Sequence, residues 1–423
     1  MISRVPQTPV IIIGAGLGGL TTALSLFAAG IECKLFEAAP RIEAQGFSIN
    51  LQPVAVRELA ELGLSERLGE IASPIERLAF YNRHGQLVFG EPRGLACGFR
   101  WPQYGVGRGT LQALLYEHAL ARMGPDRILA GLTLVEFEQN DSGVVARFAA
   151  STDGAVMHSE RADVLVGADG LHSMVRRQHY PERALRFAGQ LMWRSRVTGP
   201  PFLNGKTMFI AGHRNQKFVA YPTAPSCGES VLINWMAGLG QSGDAPPRED
   251  WSRRVDKSLF ADRFSGWKFD WLDIPALIDS AEAITEFPMM DRDPVPRWTF
   301  GRVTLLGDAA HPMQPVGSQA GSQAIVDARC LAWHMSRSRA DLPAALIQYE
   351  HERLPQMHAV VLNNRAMGAE VMMDIAEERA PDGFADIDNV IPRAEREQRA
   401  AAYRQLAGLD VHSVNAGTPY SIS

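Results

Sequence analysis

The stretch Pro-Val-Ile-Ile-Ile-Gly-Ala-Gly-Leu-Gly-Gly-Leu, from Pro9 to Leu20, constrains this chain more than any other. Its unbroken apolar run predicts a buried strand over 10–13. Leu17, Leu20, Leu24 and Phe27 recur at helical spacing, and Gly30 stops that helix. Between the two lies Gly14-x-Gly16-x-x-Gly19. That order suits a dinucleotide. Gly14 makes the tight turn, Gly16 lets backbone approach the pyrophosphate, and Gly19 lets helix pack close on strand. The helix N-terminus then offers unpaired N–H groups to the anion. A second strand is expected over 33–36, ending at Glu37. An acid about 20 residues past the glycines hydrogen-bonds ribose hydroxyls, which favours FAD or NAD over NADP.

The rest of the chain narrows the class. The 423 residues carry a formal charge of −5 and no basic run, so nucleic acid is not an expected partner. Four cysteines, Cys33, Cys97, Cys227 and Cys330, form no Cys-x-x-Cys. No metal site is expected, and a reducing, cytoplasmic setting fits. The first residues do not read as a signal peptide, and no window holds the ~20 apolar residues of a membrane span.

Helices are expected over 53–62 and 110–123, with hairpins over 78–89 and 132–149. Gly105, Gly107 and Gly109 form a glycine-rich run without a preceding buried strand, so it is not counted as a second nucleotide fingerprint. A short buried strand over 164–166 leads into Gly167-Ala168-Asp169-Gly170. From about 186 to 290 the period changes to that of an antiparallel sheet, with strands over 207–211, 217–221 and 230–236. A buried strand over 303–306 precedes Gly307-Asp308-Ala309-Ala310-His311-Pro312. Helical patterns follow over 318–336 and 342–367, with Pro355 as a kink site. The Arg/Glu-rich run 393–404 reads as a solvated helix, and the last dozen residues as frayed. The expected fold class is α/β. A Rossmann-like FAD-binding domain, residues 1–185 and 291–380, carries an inserted antiparallel-sheet substrate domain, 186–290, and a C-terminal helix and tail, 381–423.

Three motifs in order carry a resemblance. They are Gly14-x-Gly16-x-x-Gly19 with Glu37, Asp169-Gly170 followed by Arg176, and Gly307-Asp308 followed by His311-Pro312. Together they resemble the class A flavoprotein aromatic monooxygenases of the para-hydroxybenzoate hydroxylase type. Local stretches such as Ser48–Pro53, Trp101–Tyr104, Met192-Trp193-Arg194 and Asn234-Trp235 are similar to the phenazine-modifying subfamily that hydroxylates 5-methylphenazine-1-carboxylate.

The resemblance implies a resident FAD and a transient NADH or NADPH. It implies O₂ added at flavin C4a, and a distal peroxide oxygen transferred to a small aromatic or heteroaromatic substrate, with or without decarboxylation. It also implies FAD contacts at Arg41, at Arg108 with Gln112, at Asp169, and at the helix opening around Gly317 and Gly321. Ala320 stands where the family has a further glycine. Asp308 suits ribityl hydroxyls or a helix N-cap, Asp169 a ligand contact or a plain turn, Arg41 FAD or solvent, and His311 either structure or catalysis.

Trp193, Arg194, Tyr221, Asn234, Trp235, Met289 and Pro315 are the substrate candidates, since aromatics and Met suit a flat ring and Arg suits its carboxylate. A monomer or homodimer is expected. The alternative activities are a flavin oxidase or reductase without oxygen transfer and a non-catalytic flavin-binding regulator. A halogenase is disfavoured by the lack of Trp-x-Trp-x-Ile-Pro.

Overall fold

Strand β1, Thr8–Ile13, is buried on both faces, and Val10, Ile11 and Ile12 have no exposed surface. It pairs in parallel with β2, Cys33–Glu37, on one side and with the second half of Val156–Gly167 on the other. Ile128–Ala130 extends the sheet beyond β2, and Val303–Leu305 extends it beyond Val156–Gly167, again in parallel. The computed structural model describes residues 8–42, 46–150, 155–182, 184–243, 250–251 and 253–422. The sequence motifs therefore follow neighbouring parallel strands, and all sit along the carboxyl edge where open α/β sheets bind ligands. Helix α1, Leu17–Ala28, packs between this sheet, Arg108–Met123 and Ala320–Arg337.

The strand expected over 164–166 lies in the last third of a 12-residue strand. Its first half alternates exposed and partly buried residues and pairs with the hairpin Leu132–Asn140/Gly143–Ala150, so it lacks the continuous apolar signal. The glycine-rich run itself lies partly within a strand, Gln103–Gly107. It is antiparallel to Ser48–Leu51 and Ser73–Ile75, so it builds no second nucleotide unit. The helix Leu342–Arg365 runs unbroken through Pro355.

A second sheet of eight strands roofs that edge. Its order is Arg253–Val255, Ile284–Asp291, Arg186–Gly199, Val231–Gly240, Gln216–Pro222, Thr207–His213, Arg77–Tyr81 and Leu87–Pro92. The last two strands are the hairpin that a boundary at 186 assigns to the nucleotide domain. Arg77–Tyr81 instead joins Thr207–His213 in parallel, so the sheet crosses that boundary. Its outer face packs Phe209, Phe218, Trp193 and Trp235 against Phe260 and Phe264. Its inner face looks toward the nucleotide unit.

The C-terminal region departs from the sequence expectation. Arg393–Leu406 is solvated on one side only and buries Arg396, Ala400 and Tyr403 on the other. The tail beyond it is docked. Arg57 Nη1 donates to the Val414 and Gly417 carbonyls, and Arg329 Nη2 to that of Tyr420 at 2.8 Å. Thr418 Oγ1 donates to the Glu58 carboxylate, which also pairs with Arg57 and Arg329. Two buried arginines drawn onto one acid need further acceptors, and the tail's carbonyls supply them. Removing residues 410–423 is expected to cost about 3 kcal/mol or more, the loss of several hydrogen bonds to buried charged groups. The check is a denaturant midpoint, and an unchanged midpoint would return the tail to the frayed state.

Candidate active site and cofactor cradle

Three backbone hydrogen bonds tie the strand ends together. Gly14 N donates to Phe36 O at 2.7 Å, Ala168 N to Ile13 O at 2.9 Å, and Leu306 N to Gly167 O at 2.9 Å. Glycine is needed here for two different reasons. Gly14 has φ +100°, and a Cβ there would lie 2.5 Å from the Ala168 carbonyl oxygen. A Cβ at Gly19 would lie 1.9 Å from Gly14 O. Those two positions are fixed by the chain's own packing. At Gly16 an added Cβ would meet no protein atom within 4 Å. Nothing in the protein demands glycine there, but a pyrophosphate lying against the helix N-terminus would.

Beside the glycine turn is a groove of about 700 Å³ that brings Glu37, Arg41, Arg108 and Gln112 together. Glu37 accepts from Ala15 N at 2.7 Å and from Ala39 N at 2.8 Å, which aims the carboxylate and leaves each oxygen a further lone pair. Gln112 Nε2 donates to Ala15 O at 2.7 Å, bracing the glycine turn.

Asp308 lies in the short turn Gly307–Ala309, and no side-chain hydrogen bond caps that turn. Its N-cap position is Leu306, so the N-cap alternative for Asp308 is not realised. Asp169 does serve structure. Its Oδ2 accepts from Met174 N and Val175 N and so caps Met174–His179. Its Oδ1 is buried without a partner among the described residues. Arg176 joins the two motifs, since its Nη1 donates to Ala309 O at 3.0 Å and Ala310 O at 2.9 Å.

His311 is structural. Its Nε2 lies 2.5 Å from Asp327 Oδ2, and Asp327 also takes Arg353 Nε at 2.7 Å. Burial pushes the Asp327 carboxyl up, but His311 and Arg353 outweigh it and hold the carboxyl below its usual range.

Beneath the eight-stranded sheet is a cavity of about 240 Å³. Arg194, Tyr221, Met289 and Pro315 line it, as do Gly317, Ala320 and Gly321. Arg194 also borders the groove that holds Glu37 and Arg108. Its guanidinium is clasped between the rings of Phe47 at 3.9 Å and Phe287 at 4.1 Å. Burial, with Arg108 nearby, brings its pKa down to about 10. Tyr221 OH donates to Ser48 O at 3.0 Å, and burial pushes that phenol up, so it stays protonated.

Trp193 and Trp235 are not in the cavity. Successive strand residues point to opposite faces, so with Arg194 facing in, Trp193 must face out. Trp193 donates to Glu286 Oε2 at 3.0 Å and stacks on Phe260, and Trp235 stacks on Phe218. Their neighbours Met192 and Met236 line the cavity instead. Asn234, on the inner face, accepts from Ser48 N at 3.4 Å.

Gly317 has φ +68°, and a Cβ there would lie 1.6 Å from the Tyr403 hydroxyl oxygen, so a tyrosine of the C-terminal helix is what requires this glycine. Gly321 would make only ordinary contacts, 3.4 Å from Ile49. Arg93, Lys217, Glu370 and Tyr403 also line the cavity and were missed from sequence. For Lys217 a signal exists, because it alternates with Val219 and Tyr221 on one strand.

Gly16→Val is expected to fold yet purify without FAD, whereas Gly19→Val should fail to fold. Circular dichroism and flavin absorbance read the two effects separately. Asp308→Ala should weaken FAD retention by ~10-fold or more, as loss of a hydrogen bond to a charged group implies, with an unchanged unfolding midpoint. Equal FAD affinity would remove Asp308 from the cradle.

Comparison with known proteins agrees with this geometry. An FAD binding domain family matches residues 7–364. A phenazine 1,6-dicarboxylic acid hydroxylase of Lysobacter antibioticus is 40% identical over 365 residues, covering 85% of this chain and 89% of that protein. A 3-amino-4-hydroxybenzoate 2-monooxygenase of Streptomyces platensis is 35% identical over 398 residues, 92% of this chain and 93% of that one. Among solved structures, Klebsiella pneumoniae HpxO with FAD superposes with a TM-score of 0.73 at 24% identity, covering 97% and 99% of the two chains. A salicylate hydroxylase substrate complex gives 0.71 at 22% identity, covering 95% and 98%. The chain belongs to the FAD binding domain family, and within it to the FAD-dependent aromatic monooxygenases.

Proposed function

We propose that this enzyme hydroxylates a flat heteroaromatic acid, phenazine-like in size, using NADH or NADPH and O₂. The observation that carries this is the cavity under the eight-stranded sheet. It is walled by Met192, Met208, Met236, Met289 and Phe287, is bordered by the helix opening 315–321, and has Arg194 between it and the groove that holds Glu37. Thioether and aromatic walls accommodate a planar ring without hydrogen-bonding it. The phenazine acid hydroxylase among the relatives supports the ring class.

FAD, when bound, supplies reductive activation of O₂ with electrons from the nicotinamide. The net reaction takes ring C–H, O₂, NAD(P)H and a proton to ring C–OH, water and NAD(P)⁺. The chain's own residues do the rest. The glycine turn and Glu37 would hold the adenosine half of the cofactor, and Asp308 the ribityl half. The apolar inner face of the sheet keeps water from the reacting atoms. Arg194, fixed between two rings, balances negative charge arriving from either side. Tyr221, neutral and tied to Ser48 O, orients the ring. Catalysis thus rests on positioning and exclusion rather than on an acid–base dyad. The four free cysteines suit work in the cytoplasm, and the described residues contain no helix long and apolar enough to cross a membrane.

The purified protein should be yellow. Phenazine-1-carboxylate should raise its NAD(P)H oxidation at least ~10-fold, a usual scale for an ordered substrate effect. Under ¹⁸O₂ the product should gain one labelled oxygen. Nicotinamide oxidation with no labelled product would instead identify an oxidase or reductase.

A further inference from the structure

One part of the cavity wall is charged. Lys217 and Tyr221 lie on the same strand and face, four residues apart, hence about 13 Å along the wall. By register Arg194 lies level with Val219, between the two. Its guanidinium rests on Phe47, next to the Ser48 that Tyr221 bonds, so Lys217 is the far one of the pair. There Lys217 Nζ pairs with Glu370 Oε2 at 2.8 Å, with both side chains buried. Arg93, 8% exposed, pairs with buried Glu91. Glu91 is shared with Arg404, whose side chain is partly exposed.

Among the described residues the ion pairs at this end therefore join three cations to two carboxylates. The buried Arg93 Nε has no acceptor among them, and Lys217 uses one of three donors on Glu370. The buried charges themselves balance, two cations on two carboxylates, but Glu91 also serves the partly exposed Arg404. Buried donors on Arg93 and Lys217 left without an acceptor are costly unless one arrives.

We propose that this wall is an anion subsite that takes a carboxylate of the ring substrate, with Arg93 and Lys217 as donors and Glu370 and Glu91 holding them in place. It sets specificity: among rings of one shape, the enzyme selects those bearing an acid that reaches this end. The proposal rests on the aromatic substrate proposed above. It assigns selection to residues other than Arg194, which borders the groove that holds Glu37.

The test is a set of titrations of the FAD-loaded enzyme, followed by perturbation of flavin absorbance. The probes are phenazine, phenazine-1-carboxylate and phenazine-1-carboxamide. The wild type should bind the carboxylate at least ~30-fold more tightly than the carboxamide, the low end for a desolvated charge pair. Arg93→Gln should bring the two within ~3-fold while binding of unsubstituted phenazine is kept. The double variant Lys217→Met/Glu370→Leu removes a cation without stranding its partner and should do the same. It decides the matter if Arg93→Gln loses its flavin spectrum. A wild-type ratio near one, or a ratio unchanged in both variants, overturns the subsite. Rings that bind with the expected preference but leave NAD(P)H oxidation unchanged would uphold the subsite and overturn the hydroxylase assignment instead.

Discussion

The contact on which this structure depends is the meeting of four strand ends, where Gly19 presses on Gly14 and Gly14 on Ala168. No side chain fits between them. The hydrogen bonds Gly14 N to Phe36 O, Ala168 N to Ile13 O and Leu306 N to Gly167 O form only because backbone approaches backbone this closely. Once they form, the glycine turn, the Asp169 loop and the Asp308 loop have fixed relative positions. Arg176 adds a side-chain strut between the last two. The cofactor cradle is thus a consequence of sheet registration, with little left to flexible side chains.

That explains which parts of the molecule were legible in the sequence. Glycine spacing is a local signature of a backbone contact, so Gly14, Gly16, Gly19 and the acid at Glu37 announced themselves. Parallel strands announced themselves through unbroken apolar runs. The long strand Val156–Gly167 was seen only over its buried end, because its other half sits at an edge with mixed exposure. The hairpin 77–92 was visible as a hairpin. Its partner was not, since joining it to Thr207–His213 needs a contact between residues 130 positions apart.

The substrate wall was half legible for a simpler reason. Residue type marks a position as suited to a ring, but on a strand only parity says which side it faces. Trp193 and Arg194 are adjacent and cannot both look inward. The tryptophans, chosen for their rings, turned out to build the outer core, and the unremarked methionines beside them build the cavity. The tail was misjudged because its attachments are carbonyls accepting from Arg57 and Arg329, and carbonyls have no sequence signature.

The Tyr403–Gly317 contact has a consequence for the order of assembly. The strand-end turns, from Gly14 to Asp308, precede in the chain the helix that carries Tyr403, and Tyr403 is made after every other wall residue of the cavity. During synthesis, folding proceeds from the N-terminus. A nascent chain can therefore register those turns before the Tyr403 part of the wall exists. The cavity is enclosed only when the C-terminal helix docks and Tyr403 settles against Gly317.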